Sequence, residues 1–393
     1  MQTVATPLQA VAEQVVLDRR RLHANPELGF QEFETSRFVA ERLRALGLEV
    51  QTGVAKTGVV ALIHGGKPGK TVMLRADMDA LPIDELNDVP YRSQTSGVMH
   101  ACGHDGHTAI LLNAARILVE RREQLAGTIK LVFQPCEESY PGGAVGMIAE
   151  GVLESPKVDA AFGLHLMQDI PLGLVAARPG PTMATTDTFT LQVRGKGGHG
   201  AWPHLCVDAV LVAAQITVAL QTLVSREVKP TEPAVVTVAS IHAGTAPNII
   251  PETCTLTGTV RTFNKQVRGY LAKRIEEVAS GIAHALRAEC TCIYEYGNPP
   301  VVNDPVMTDL VLDVARETVG ADHVIINEQT MGGEDFASFL EAVPGCFFFI
   351  GTRNEERGLI WGHHHPRFNV DETALPTAVD MIVAVAERYL ATH

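Results

Sequence analysis

Thr128-Ile129-Lys130-Leu131-Val132-Phe133 reads as a strand buried on both faces, an apolar run too short for a helix and lacking the alternation of a half-exposed strand. A helical pattern precedes it over about 108–123, with Ile110, Leu111, Ala114, Ile117 and Leu118 at helical spacing. Before that lies a second apolar run, Thr71-Val72-Met73-Leu74-Arg75-Ala76, and after it a third, Ala160-Ala161-Phe162-Gly163-Leu164. Strands at about 48–54 and 57–64, and helices near 6–24, 32–46 and 143–151, complete the first half. Strands alternating with helices predict a mixed, largely parallel sheet flanked by helices.

The rhythm changes between 184 and 296. Strands around 188–193, 235–241, 255–262 and 289–296 alternate with helices over 208–225 and 271–287. The order βαββαβ with one-sided strands predicts a small ferredoxin-like α+β sheet with its helices on one face. From 297 the first pattern resumes, with helices over 305–319, 334–342 and 372–390 and strands over 323–327 and 346–350. Residues 1–183 and 297–393 therefore read as one discontinuous domain and 184–296 as an insert.

The chemistry-bearing residues stand immediately after the buried strands. Asp77 and Asp79 come after the run at 71–76, Glu137 and Glu138 after that at 128–133, and His165 after that at 160–164. In open parallel sheets the carboxyl ends of the strands share one edge, where ligand sites gather. The stretch Met99-His100-Ala101-Cys102-Gly103-His104-Asp105-Gly106-His107-Thr108 feeds a helix at the same edge, and Trp361-Gly362-His363-His364-His365-Pro366 supplies further imidazoles. Cys102-x-His104 is not a zinc-finger spacing, so its remaining ligands must come from far along the chain, as in catalytic metal sites. One thiolate, one or two carboxylates and up to three imidazoles suffice for two metal ions. Adjacent Glu137 and Glu138 suit metal-assisted hydrolysis, one as ligand and one as general base. The competing chemistry is a Cys102 nucleophile with His104 or His107 as base.

Composition narrows the classes. With 393 residues, 46% hydrophobic and 20% charged, the chain is that of an ordinary globular protein of two domains. A net charge of -13 argues against a nucleic-acid partner. No apolar stretch reads as long enough to span a bilayer, and the N-terminus lacks the layout of a signal peptide. Seven scattered cysteines do not form a disulfide framework, so a cytoplasmic setting is expected.

Six stretches together resemble the peptidase M20 family. They are Arg75-Ala76-Asp77-Met78-Asp79-Ala80-Leu81-Pro82, His100 to Thr108, Phe133 to Glu138, Gly195-Lys196-Gly197-Gly198-His199, Ala246 to Pro251 and Met331-Gly332-Gly333-Glu334-Asp335-Phe336. The nearest likeness is to its amidohydrolase branch, which includes hippurate hydrolases, N-acyl-amino-acid amidohydrolases and auxin-conjugate hydrolases. The resemblance implies metal ligands Cys102, His104, Glu138, His165 and His364, with Cys102 bridging two divalent ions (zinc, manganese, cobalt or nickel). His363 and His365 remain alternatives to His364. It further implies Glu137 as general base and Asp79 as the group that orients a ligand.

In the insert, the resemblance implies a lid and dimerisation domain. His199 would reach the active site of the other subunit of a homodimer, or of a higher homo-oligomer, and polarise the scissile carbonyl. Asn248 and Arg261 would hold the substrate's α-carboxylate, and Gly332 and Gly333 would admit its backbone closely. The implied activity is hydrolysis of an N-acyl amino acid to a carboxylic acid and a free amino acid. A dipeptidase or carboxypeptidase using the same machinery is the alternative. Benzoyl, acetyl, indolyl, fatty acyl and succinyl groups all remain open. Asp77, His100, Asp105 and His107 could either support the ligands or cap the helix.

Overall fold

The computed structural model describes residues 7–393. It divides the chain into two compact units. The first runs to Gly180 and adds Val302–Glu328 and Asp335–His393; the second is Pro181–Val301 with Gln329–Glu334. The breaks therefore fall within a few residues of 183 and 297, and the short stretch 329–334 groups with the second unit.

In the first unit, helices α1 (Pro7–Ala24) and α2 (Phe33–Ala45) precede strands β1 (Val50–Val54), β2 (Gly58–His64) and β3 (Lys67–Asp77). Helix α3 (His104–Arg121), β4 (Ala126–Gln134), α4 (Gly143–Ala149), β5 (Ala160–Pro171) and β6 (Val175–Ala176) come next. The eight-stranded sheet has the order β1-β2-β4-β3-β5, then Gly345–Arg353, β6 and Val324–Ile325. β3 pairs parallel with β4 (Asp77 opposite Gln134) and with β5 (Arg75 opposite Gly163). β5 pairs parallel with Gly345–Arg353, His165 lying opposite Phe349. The carboxyl ends of β3 and β4 thus finish side by side, with the middle of β5 beside them.

Period-two alternation fills both faces. Leu74, Leu131, Phe162 and Phe348 join one core with Leu111, Leu112 and Leu118 of α3 and with Ile382, Val385 and Ala386 of the C-terminal helix Leu375–Thr392. Phe347, one residue out of phase, instead packs its ring 5.2 Å from that of Phe336. A strand so covered has no solvent face, which is why its sequence shows no polar alternation.

The second unit is a four-stranded antiparallel sheet in the order Ala234–His242, Thr253–Thr262, Asp187–Arg194, Glu289–Glu295. That is the ferredoxin-like order. Helices Ala209–Thr222 and Lys265–Ala285 begin at Asp208 and Asn264, whose side chains accept the free N–H groups of the first turn. Their Val212, Ile216, Leu220, Leu271 and Ile275 pack on Phe189, Leu191, Val193 and Leu256. Ala209–Glu227 is long and apolar enough to cross a bilayer by length and composition alone, and its Val212, Ile216, Leu220 and Leu223 are buried in this core.

Candidate metal centre

Asp79 follows the end of β3 and is fully buried. One carboxylate oxygen accepts the backbone N–H of Glu137 at 2.9 Å and the other that of Glu138 at 3.0 Å. The Nδ1–H of His104 donates to the Asp79 backbone carbonyl at 2.9 Å. A single residue therefore orients both carboxylates of the pair and one imidazole.

His104 opens α3 rather than preceding it. Gly103, in the left-handed region at φ 92°, turns the chain into the helix with no side-chain cap. With Nδ1 held by Asp79, Nε2 is left buried with no hydrogen-bond partner, and so is Oε1 of Glu138 4.0 Å away. His165 repeats the pattern: its Nδ1 donates to the Leu166 carbonyl at 2.9 Å, and its Nε2 lies 3.5 Å from the Cys102 sulfur. His165 sits inside β5, which runs on to Pro171, and not beyond the strand end. His364 points Nε2 at Glu138 Oε1, 3.2 Å away. Its φ of 63° is a left-handed conformation uncommon for a residue with a Cβ.

Ligand atoms of Cys102, His104 and His165 lie within 4.8 Å of one another, as do those of Cys102, Glu138 and His364. Two triads share one sulfur. Of the three consecutive histidines, His363 is bound through Nε2 to the Leu166 carbonyl and His365 stacks on Trp361, so His364 alone of the three joins a triad.

The electrostatics call for a cation. Burial disfavours charge on His104, yet Asp77, Asp79 and Glu138 outweigh it and push its pKa up to about 10. Burial, then Glu138, Glu137 and Asp77, hold the Cys102 thiol well above its ordinary range. Without a metal this sulfur is protonated at neutral pH, which argues against a cysteine nucleophile. Orphaned buried imidazole and carboxylate atoms, a thiol and clustered acids fit a divalent ion of the zinc type.

The model for peptidase family M20/M25/M40 matches residues 73–388. The chain belongs to that family. It is 43% identical to thermostable carboxypeptidase 2 of Saccharolobus solfataricus, over 94% of this chain and 93% of the other. It is 42% identical to the N-acetyl-L-cysteine deacetylase of Bacillus subtilis, over 98% and 90%. The crystal structure of Bacillus subtilis YXEP, described as a dinuclear metal binding peptidase from the M20 family, superposes with a TM-score of 0.85 at 36% identity, covering 98% and 99% of the two chains. This M20 chain is a hydrolase of amide bonds.

The other predicted site residues lie in the second unit. His199 and Ile249 pair in a two-stranded ladder, and the Gly200 N–H donates to the Asn248 carbonyl at 2.8 Å, so His199 and Asn248 are neighbours. Both are exposed. The Arg261 guanidinium, half-buried, donates to the backbone carbonyls of Asp187 and Val260. Gly332 accepts the Ala184 N–H through its carbonyl, and a Cβ on Gly333 would fall 1.9 Å from a Thr186 methyl, so only glycine fits there.

Around the ligands stand Asp77, His100, Asp105 and His107, whose role the sequence leaves open between support and capping, and Arg75 and His23, which carry no clear signal of a supporting role in the sequence. His107 donates to Asp77 at 2.7 Å and accepts the Leu166 N–H at 2.9 Å, tying β3 to β5. Arg75 bonds Asp77, Gln134 and Asp335 at once. His23, isolated in the sequence, is buried between Asp105 at 2.8 Å and Glu85 at 3.1 Å. Asp105 also takes the Arg19 guanidinium at 2.7 Å. His100 is buried with neither ring nitrogen hydrogen-bonded.

Proposed function

We propose that this M20 hydrolase cleaves N-acyl amino acids to a carboxylic acid and a free amino acid, with two divalent ions held by Cys102, His104, Glu138, His165 and His364. The observation that carries this reading is the pair of triads sharing the Cys102 sulfur, with Glu137 beside them. When bound, the ions supply Lewis acidity toward a water and the scissile carbonyl; zinc, cobalt, nickel or manganese suits this donor set. Glu137 takes the proton of the attacking water and delivers it to the leaving amine. Asp79 keeps Glu137 and Glu138 on their separate tasks by holding their amides.

Asn248 and Arg261 select a free α-carboxylate, for which a guanidinium fork is well suited. Gly332 and Gly333 admit the substrate backbone. His199, contributed across a homodimer by the second unit acting as lid and dimerisation domain, polarises the carbonyl. The working compartment is the cytoplasm.

Metal-reconstituted protein assayed on a panel of N-acyl amino acids and blocked peptides tests this. Turnover of acyl amino acids, abolished by a chelator and lost in a folded, metal-loaded Glu137→Gln variant, is the expected result. Retained turnover in Glu137→Gln would refute the base. The 43% identity to a carboxypeptidase supports a second reading, peptide cleavage at a free C-terminus by the same residues. Preference for peptides over acyl amino acids in that panel would select it.

A further inference from the structure

We infer that Glu32, on the turn between α1 and α2, is a positioning residue for the hydrolytic step, setting the backbone that carries Glu137. The inference rests on the reading of Glu137 as the base.

Glu32 stands at the N-cap of α2, a position usually filled by Ser, Thr, Asp or Asn, whose side-chain oxygen takes a first-turn amide. Glu32 does not do so. Its side chain makes no capping bond. The first-turn amides of Glu34 and Thr35 are instead served by Glu27, at 3.1 and 2.8 Å. The Glu32 carboxylate is wholly buried and turned the other way: Oε1 accepts the Cys136 N–H at 2.8 Å and Oε2 accepts the Thr57 hydroxyl at 2.6 Å. The next two amides, those of Glu137 and Glu138, go to Asp79. Three successive N–H groups are thus fixed by two buried carboxylates.

Cys136 needs that anchor. Its φ is 49°, a conformation that a residue with a Cβ adopts only when its surroundings impose it. The same turn presses on it from the side: a Cβ added to Gly29 would lie 2.7 Å from the Cys136 sulfur. The turn is in turn fastened to the site, because the Ala80 N–H, next to Asp79, donates to the Glu27 carbonyl at 2.8 Å. With the anchor removed, Cys136 can relax toward negative φ, and that rotation is transmitted first to Glu137.

The test compares Glu32→Ala and Glu32→Gln in metal-replete enzyme, with kcat, KM, metal content and Tm measured for each. A carboxamide can accept from Cys136 N–H and donate to the Thr57 oxygen, so Glu32→Gln should retain kcat within about twofold. Glu32→Ala should lose about ten- to a hundredfold in kcat with KM and metal content little changed, the cost of a small misplacement of a reacting group. Gly29→Ala, which leaves Glu32 intact, should also lower kcat, and Gly29→Ala with Cys136→Ala should recover part of it. A Glu32→Ala enzyme with normal kcat, or a Glu32→Gln enzyme as slow as Glu32→Ala, would overturn the inference. Should Glu32→Ala not fold, normal kcat in Gly29→Ala overturns it. An active Glu137→Gln would sink the base itself, whereas an inactive Glu137→Gln beside a normal Glu32→Ala sinks only the role of Glu32.

Discussion

His364 Nε2 and Glu138 Oε1 stand 3.2 Å apart at the rim of the strand ends. The contact, with Glu138 as its first cause, raises the His364 pKa. The two atoms face each other at the place proposed for a metal. His104, pushed up to about 10, and the raised Cys102 thiol carry protons at neutral pH.

Metal uptake must therefore expel protons. Since ligands bind deprotonated, affinity should rise with pH from about 6 to about 9, and calorimetry of the apo-protein at about pH 7.5 in buffers of differing ionisation enthalpy should register release of roughly two protons per loading. A buffer-independent heat would mean that these groups are not the ligands.

His107 joins the end of β3 to the residue after His165. His107→Ala removes the acceptor of the buried Leu166 N–H and so loosens the residue whose carbonyl accepts from the His165 ring. Metal affinity measured by chelator competition should fall about 10- to 100-fold, as for other residues that orient a ligand. An unchanged affinity would leave His107 with a packing role only.

The Arg19–Asp105 pair has no exposure on either side chain. Burial acts to raise the Asp105 pKa, but Arg19 and then His23 hold it far below the ordinary carboxylate range. A folded-state pKa below the unfolded one gives stability that is complete above the unfolded value, about 4, and lost as pH falls through the folded one. Asp105→Ala leaves the buried Arg19 with Glu372, at 3.2 Å, as its remaining acidic partner and should cost up to about 3–5 kcal/mol in denaturant unfolding at neutral pH. Its deficit against the parent should shrink as the pH drops below about 4; a deficit independent of pH would contradict the electrostatic explanation.

The convergence of the candidate ligands was legible because parallel strands end at one edge, so residues just past separate apolar runs could be expected to meet. The two-unit pattern was legible from the change in strand periodicity. Pairing over distance is what the chain hides. Glu32 merely opens a helical pattern, and its partners Cys136 and Thr57 lie elsewhere in the chain. His23 lies in an unremarkable helical pattern, and its two acidic partners come from different loops. The start of α3 at His104 is hidden because the glycine turn at Gly103 replaces the usual polar cap. His165 reads as lying past its strand because Leu166 and the residues beyond it continue the pairing with Gly345–Arg353, a partner invisible locally.

The proposed chemistry stands or falls on a pair of metal ions held through one sulfur. Anomalous diffraction from crystals loaded with zinc can locate both ions at once. Two peaks are expected, each about 2.3 Å from the Cys102 sulfur, one also bonded by His104 and His165 and the other by Glu138 and His364. Peaks lying only among Asp77, His104 and His107, or none within bonding distance of that sulfur, would contradict it.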